Sequence, residues 1–272
     1  MVMVGPALAG LLVALTGYGW TYTIDVVLML AMFLGLWTLP SLKPEGEIVR
    51  PGLASLVDGW RFLRRSANIR MQYLLDIFAM TFGQPLALFP ALGTVLLGGG
   101  AITTGVLTAA VAVGTFLSSL FSGRIVHYRW HGRGIARAVQ AYGASIAAFG
   151  FVLLIGVWVP EVSESEPNLL LIVLACAALA ASGAADNISS IYRMTMMQAA
   201  VPDAIRGRLQ GVFIVVVTGG PRLGALYVGV LSAFGALWFP PLLGGVLIIA
   251  LVAVLVRDGS TFLRYDATDP RP

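Results

Sequence analysis

The sequence is poor in charged side chains, which make up only 11% of its 272 residues. Soluble domains usually have about a quarter of their residues charged, so this composition excludes an ordinary soluble fold. Apolar residues account for 58% of the chain, and the mean hydropathy is +0.89. They form unbroken blocks of roughly 20 residues, the length at which an α-helix crosses a ~30 Å hydrocarbon core. The sequence therefore predicts an all-α membrane protein.

Metal-binding and catalytic patterns are also scarce. The one cysteine, Cys176, falls within an apolar block, which excludes a disulfide within the chain and a cysteine-based metal site. His127 and His131 have an i, i+4 spacing, but they lie among arginines at a predicted membrane surface, which favours solvated loop residues. The sequence has neither a nucleophile–base motif nor a Gly-rich phosphate loop. We expect no metal, no cofactor and no enzymatic activity.

Eight apolar blocks are long enough to cross a membrane, and the alternative count is seven. The predicted spans are residues 2–17, 22–40, 69–91, 102–125, 135–158, 168–191, 208–234 and 237–256. Basic residues are concentrated in every second connection and in the C-terminal tail, whereas the connection at 159–168 is acidic. Because cytoplasmic connections are enriched in Lys and Arg, we expect both termini on the cytoplasmic side of the cell inner membrane. The net charge of +4 then reflects topology rather than nucleic-acid binding.

A polar connection divides the spans into two groups. Its apolar residues share one helical face, with arginines around the other, which predicts an amphipathic helix in the cytoplasmic headgroup layer. The residues of the apolar face are Leu53, Leu56, Val57, Trp60 and Leu63. The predicted organisation is 1–40 as the last two helices of one bundle, 41–68 as the linker with its interface helix, 69–257 as a six-helix bundle and 258–272 as a cytoplasmic tail.

A short repeat links the two groups of spans. The segment that begins Gly5-Pro6 is similar to the one that begins Gly220-Pro221, and each precedes a Gly-rich turn and another apolar span. Parallel repeats of this kind relate the two bundles of one large class of secondary transporters. The alternative is coincidence, because Gly-Pro pairs are common in membrane helices. The residues predicted to pack or kink helices are Gly5, Pro6, Gly10, Pro85, Gly220, Pro221 and Gly224.

Polar groups within spans are functional candidates, because a charge near the bilayer centre costs about 2.5–3.5 kcal/mol. Asp76 lies about 10 Å from the predicted cytoplasmic face, and Gln84 and Arg222 lie about 20 Å from it. Helix breaks are predicted at Gln84-Pro85 and at Pro221-Arg222. We expect these three polar residues to line a substrate or proton pathway, with Asp76 carrying the proton, because burial favours a neutral carboxyl group. The alternative is a structural Asp76–Arg222 pair.

A second polar set lies at the cytoplasmic edge. Asp186 is within two helical turns of Arg193, which predicts either an ion pair that helps to close the inner mouth or a simple interface residue. The candidates for a cytoplasmic gate are Asp186, Arg193, Asp203, Arg206 and Arg208.

Several segments resemble, in order along the whole chain, the enterobactin-exporter-like branch of the major facilitator superfamily. They are SLVDGWRFL at 55–63, LFPAL at 88–92, MMQ at 196–198, Pro202-Asp203 and RGR at 206–208. The resemblance implies two six-helix bundles joined after the sixth span. Only two predicted spans precede the linker here, so the chain resembles the last eight of twelve spans, with the first four absent. At 123–127 the sequence reads GRIVH, so His127 replaces the acidic residue of the superfamily's cytoplasmic motif.

This resemblance implies a secondary transporter that exports small molecules of the siderophore or drug class in exchange for protons. The expected partners are the lipid bilayer, a small-molecule substrate, protons and the missing N-terminal half. A truncated, non-transporting membrane remnant or scaffold is the alternative. A membrane-embedded enzyme ranks last, because the spans have no cluster of His, Asp and Glu at one depth.

Overall fold

The computed structural model of the chain describes residues 4–38, 53–159, 166–234, 236–258 and 260–270. Its long helices are α1 (Val4–Trp37), α2 (Leu53–Arg65), α3 (Ala67–Phe82), α5 (Gly100–Ser119), α7 (His131–Gly156), α8 (Leu169–Ala200), α9 (Asp203–Ser232) and α10 (Phe239–Asp258). Its short helices are α4 (Phe89–Ala91), α6 (Ser122–Val126) and α11 (Ser260–Leu263). The regular secondary structure of the described part is entirely helical, which confirms the predicted all-α class.

Seven described segments are long and apolar enough to cross a bilayer. Six of them follow the linker and correspond to the six spans predicted for the second bundle. Ile102, Leu170 and Val215 are each more than 65% exposed. Large exposed apolar side chains of this kind are expected on a surface that faces lipid. The chain is therefore a multi-pass membrane protein.

The helix before the linker differs from the expectation. Residues 1–50 form one compact unit. Its described residues, 4–38, form a single helix, α1 (Val4–Trp37), in place of two spans with a Gly-rich turn. Glycine does not by itself end a membrane helix, and Thr23 Oγ1 donates a 2.9 Å hydrogen bond to the Gly19 carbonyl within the helix. Gly5, Pro6 and Gly10 lie in α1, and the side chains of residues 1–18 are outside the described part of the chain.

The second unit, residues 51–272, is built on close helix pairs. Helix α8 packs against both α5 and α7, and α10 packs against α7. Gly114 of α5 lies against the Ala180 carbonyl, and Gly183 of α8 lies against the Val111 carbonyl, with no space for a Cβ at either glycine. Small residues permit this approach, and dispersion contacts then stabilise the pair in lipid, where the hydrophobic effect contributes little.

Helix α3 is interrupted before it has crossed the bilayer. It ends at Phe82, and a 3₁₀ turn begins at Pro85, because proline supplies no amide hydrogen for the helical ladder. The predicted break at Pro221 is wrong, since α9 is continuous from Asp203 to Ser232. Residues 80–84 pack on the small residues of α9, where a Cβ on Gly220 or Gly224 would be 2.8 Å from Met80.

Helix α2 is amphipathic, but its apolar residues divide between two environments. Leu63 is buried in the core of the second unit, and Phe62 packs against that core. Val57 and Trp60 are both more than half exposed. Only part of the predicted apolar face is therefore free to enter a headgroup layer; the side chains of 53–56 lie outside the described residues.

The C-terminal tail is held against the start of α7. Phe262 is fully buried, with its carbonyl against Gly132, and the Ala267 amide donates to the Arg129 carbonyl. The guanidinium of Arg129 donates from Nε to Asp266 Oδ2 at 2.8 Å and holds the pKa of that carboxyl far below its usual range. This part of the predicted tail is thus an ordered part of the second unit.

Candidate functional site

Three charged side chains meet between α3 and α8. Asp76 and Arg193 are buried and form an ion pair between Oδ1 and Nη1. Arg193 Nη2 lies 3.6 Å from Asp186 Oδ1. Asp186 and Arg193 are seven residues apart on α8, which places them two turns apart on one face. The guanidinium thus lies between two carboxylates.

The electrostatics of this cluster are unbalanced. With all three groups ionised, two negative charges face one positive charge, and an unpaired charge is costly to bury. The Asp76 side chain is 3% exposed, and that of Asp186 is 38% exposed. One proton on either carboxyl group would make the cluster neutral.

A small cavity adjoins the ion pair. Its volume is about 10 Å³, and its walls are Gln72, Tyr73, Asp76, Arg193, Met194, Met197 and Phe213. Tyr73 donates a 3.0 Å hydrogen bond from its hydroxyl to the Leu209 carbonyl, which joins α3 to α9. Gln72 and Tyr73 are not among the candidates predicted from the sequence; their sequence signal is position, since both lie one turn before Asp76 on the same helix.

The interruption of α3 supplies a second polar feature. The Gly83 carbonyl accepts a hydrogen bond from the Tyr142 hydroxyl of α7, and the Tyr142 ring leaves no space for a Cβ at Gly83. Gln84 is half-buried, and its Nε2 lies 3.6 Å from Met80 Sδ. A tyrosine in the middle of an otherwise apolar span is the sequence signal for this contact, which was not predicted.

Arg222 does not join the cluster. Its side chain is exposed on α9, whereas the described ion pair of Asp76 is with Arg193. The structural alternative of an Asp76–Arg222 pair is therefore wrong. The partner lies on α8 because α3 contacts both α8 and α9, and the side of α3 that bears Asp76 faces Arg193.

The remaining gate candidates lie at the junction of α8 and α9. Arg206 donates from Nη2 to the Gln198 and Val201 carbonyls at 2.8 and 3.2 Å, and so caps the C-terminal end of α8. Arg208 Nη1 lies 3.2 Å from Asp58 Oδ2 and ties α9 to α2. Asp203 begins α9, and its side chain is outside the described part of the chain. The role of Arg206, Arg208 and Asp203 in a cytoplasmic gate stays a prediction.

The Asp58–Arg208 pair permits a direct test of how α2 is attached. We expect Arg208→Gln to lower the free energy of unfolding by about 0.5–1 kcal/mol, the range of partly exposed pairs. Arg61→Gln is the matched control, because Arg61 also pairs with Asp58 at 3.1 Å but its side chain is 61% exposed. Chemical denaturation in detergent micelles measures both. Equal losses in the two variants would contradict an attachment through Arg208.

Among the described residues, no group of three or more His, Cys, Asp or Glu side chains could hold a metal ion. His127 lies near the surface with Nδ1 2.5 Å from the Gly123 carbonyl, and His131 lies among aromatic rings, 5.2 Å from Tyr192 by ring centroids.

Comparison with known proteins covers almost the whole chain. The profile of the transmembrane secretion effector family matches residues 2–269. The enterobactin exporter EntS of Shigella flexneri is 28% identical over 274 residues, which is 98% of this chain and 61% of that protein. EntS of Escherichia coli O139:H28 is also 28% identical, over 98% of this chain and 62% of that protein. The chain thus spans about three fifths of the length of these relatives.

Proposed function

We propose that this chain, which belongs to the transmembrane secretion effector family of major facilitator transporters, exports small molecules by alternating access in exchange for protons. The observation that carries the proposal is the cluster between α3 and α8, in which the buried Asp76–Arg193 pair lies beside the partly exposed Asp186. Ionisable groups within spans are rare, and in transporters they mark substrate and proton pathways. We take both termini to be cytoplasmic and the membrane to be the inner one.

Proton coupling follows from the competition for one guanidinium. When Asp76 is ionised, its ion pair with Arg193 holds α3 against α8. A proton on Asp76 removes that attraction and leaves Arg193 to Asp186, which lies 3.6 Å away on the same helix. The attraction between the two helices is therefore weaker in the protonated state. A ligand that prefers one of two conformations shifts their populations, and here the proton is that ligand.

The substrate class comes from the relatives. Two of them are named as exporters of enterobactin, and we propose a siderophore or a drug-like small molecule as the substrate of this chain. The remaining partners are the bilayer, protons and the N-terminal part that the relatives have and this chain does not span. Gln84 and Arg222 are proposed to contact substrate, because Gln84 adjoins the interruption of α3 and Arg222 is exposed on α9.

Asp76→Asn tests the coupling. We expect this variant to lose proton-driven efflux and keep its membrane insertion, because the amide has the shape of a carboxyl group but cannot take up a proton. Efflux of enterobactin or a cationic dye from proteoliposomes, measured with and without an imposed pH gradient, gives the result. Asp58→Asn is the control, since Asp58 is a half-exposed partner of α9 on the surface. Efflux by Asp76→Asn at the parent rate would reduce Asp76 to a structural role.

A second candidate is a membrane part that does not transport by itself. The same proteoliposome experiment distinguishes the transporter from the non-transporting membrane part. Export by the chain alone supports the transporter, whereas binding of enterobactin without export supports the second candidate.

A further inference from the structure

Gln72 has a buried oxygen with no partner. The residue is 3% exposed, and its Oε1 makes no hydrogen bond within the described part of the chain. Buried amide oxygens almost always accept a hydrogen bond, from protein or from ordered water. Gln72 Oε1 therefore requires a hydrogen-bond donor that the described residues do not supply.

The cavity beside Asp76 offers the position for that partner. Gln72 and Asp76 are four residues apart on α3, one above the other on its surface, and both line the cavity. Its volume of about 10 Å³ is close to the space that one water molecule needs. Tyr73 also lines it, but its hydroxyl hydrogen is already donated to the Leu209 carbonyl.

We propose that one water molecule binds here and connects Gln72 to Asp76. The water donates one hydrogen to Gln72 Oε1 and the other to the Asp76 carboxylate, and the guanidinium of Arg193 is a donor in the same wall. A buried water typically makes two to four hydrogen bonds, and these groups supply that number. The site is otherwise lined by Met194, Met197 and Phe213, whose sulfur atoms and ring are weaker acceptors than the amide and carboxylate oxygens.

This water is the last step of the proton path to Asp76. When the water carries an extra proton as hydronium, it passes that proton to the carboxylate; the carboxyl group becomes neutral and the water is restored. Release is the reverse transfer. Gln72 lies one turn nearer than Asp76 to the start of α3, so the path leads toward the cytoplasmic end. This assignment rests on the proposed function, whose coupling proton Asp76 carries.

A pH-jump experiment tests the water site. The chain, purified in detergent, is dropped from neutral to acidic pH, and the infrared band of the Asp76 carboxyl is followed, assigned by its loss in Asp76→Asn. We expect Gln72→Met, which keeps the length but has no strong acceptor, to slow the appearance of this band about tenfold, the effect of removing one hydrogen bond that holds the water. Gln72→Asn is a second, polar variant. Its shorter side chain moves the amide oxygen away from the water, so it should also slow the appearance of the band.

Thr81→Val is the matched control. Thr81 is also on α3 and its Oγ1 is also buried without a partner, but it does not line the cavity. In the Thr81→Val variant, the Asp76 carboxyl band should appear at the parent rate. A parent rate in both Gln72 variants, or an equal slowing in Thr81→Val, overturns the proposal. The band is measured in detergent, without transport. Its rate therefore tests the water site even if the chain does not perform proton-driven efflux.

Discussion

Arg193→Met is expected to lower the free energy of unfolding of the helical unit at residues 51–272 by about 3–5 kcal/mol. The substitution keeps an unbranched chain of similar length but leaves Asp76 buried without its cation, and it also removes the 3.6 Å neighbour of Asp186. Removing one partner of a buried pair is far more costly than removing both. The remaining charge is still excluded from water, but it no longer has an opposite charge to compensate for the lost hydration. Denaturation by SDS from mixed micelles, followed by circular dichroism, measures the change.

The control and the rescue make this result specific. Arg222→Met removes an exposed arginine from α9 and should change the free energy of unfolding by less than about 0.5 kcal/mol. The double variant Asp76→Asn, Arg193→Met removes both partners of the buried pair and should recover a substantial part of the loss. If the double variant is as unstable as Arg193→Met alone, the instability comes from packing around residue 193 and the charge argument fails.

Gly183→Val is expected to have the second large effect, a loss of about 1–3 kcal/mol or more through overpacking. Helices α5 and α8 meet so closely that a Cβ at position 183 overlaps the Val111 carbonyl, and Gly114 has the same relation to Ala180. Both contacts are with backbone carbonyl groups rather than with the end of a flexible side chain, so a larger side chain at position 183 requires a helix backbone to move. The same SDS titration measures the loss, with the α5–α8 distance followed by pulsed electron spin resonance of labels on the two helices.

Gly105→Ala is the matched control for this packing argument. Gly105 is on α5, and a Cβ built there meets nothing within 4 Å. Because alanine has a higher helix propensity than glycine, this variant should be as stable as the parent or more stable. A Gly183→Val protein with parental stability and an unchanged inter-helix distance would refute close α5–α8 packing as a determinant of the fold.

The spans were predictable because each depends on composition within one segment. The block at 135–158 corresponds to α7, and the block at 237–256 corresponds to α10, with boundaries that differ by a few residues. The interruption at Gln84-Pro85 was equally local, since proline removes an amide hydrogen wherever it occurs.

Two local inferences were wrong for one reason. The Gly-rich segment after residue 17 and the Pro221 segment both carry residues that weaken helices, yet α1 and α9 run through them. In a membrane, a backbone group outside the helical ladder has no water to bind, so helix continuity is favoured unless neighbouring groups compensate. At Gly83 the Tyr142 hydroxyl provides that compensation, and only the packing of α7 on α3 puts it there.

Hydrophobic length and charge content act within each segment, so the sequence was enough to predict a helical membrane protein with six spans after a polar linker. It was also enough to identify Asp76 as a charge within a span and Arg193 as a candidate for the cytoplasmic gate. Their pairing across 117 residues of chain, and the separate position of Arg222, became clear from the packing of the helices. Pairing of buried charges depends on which helix faces meet, and that is the outcome of packing between α3, α8 and α9, which no single segment encodes.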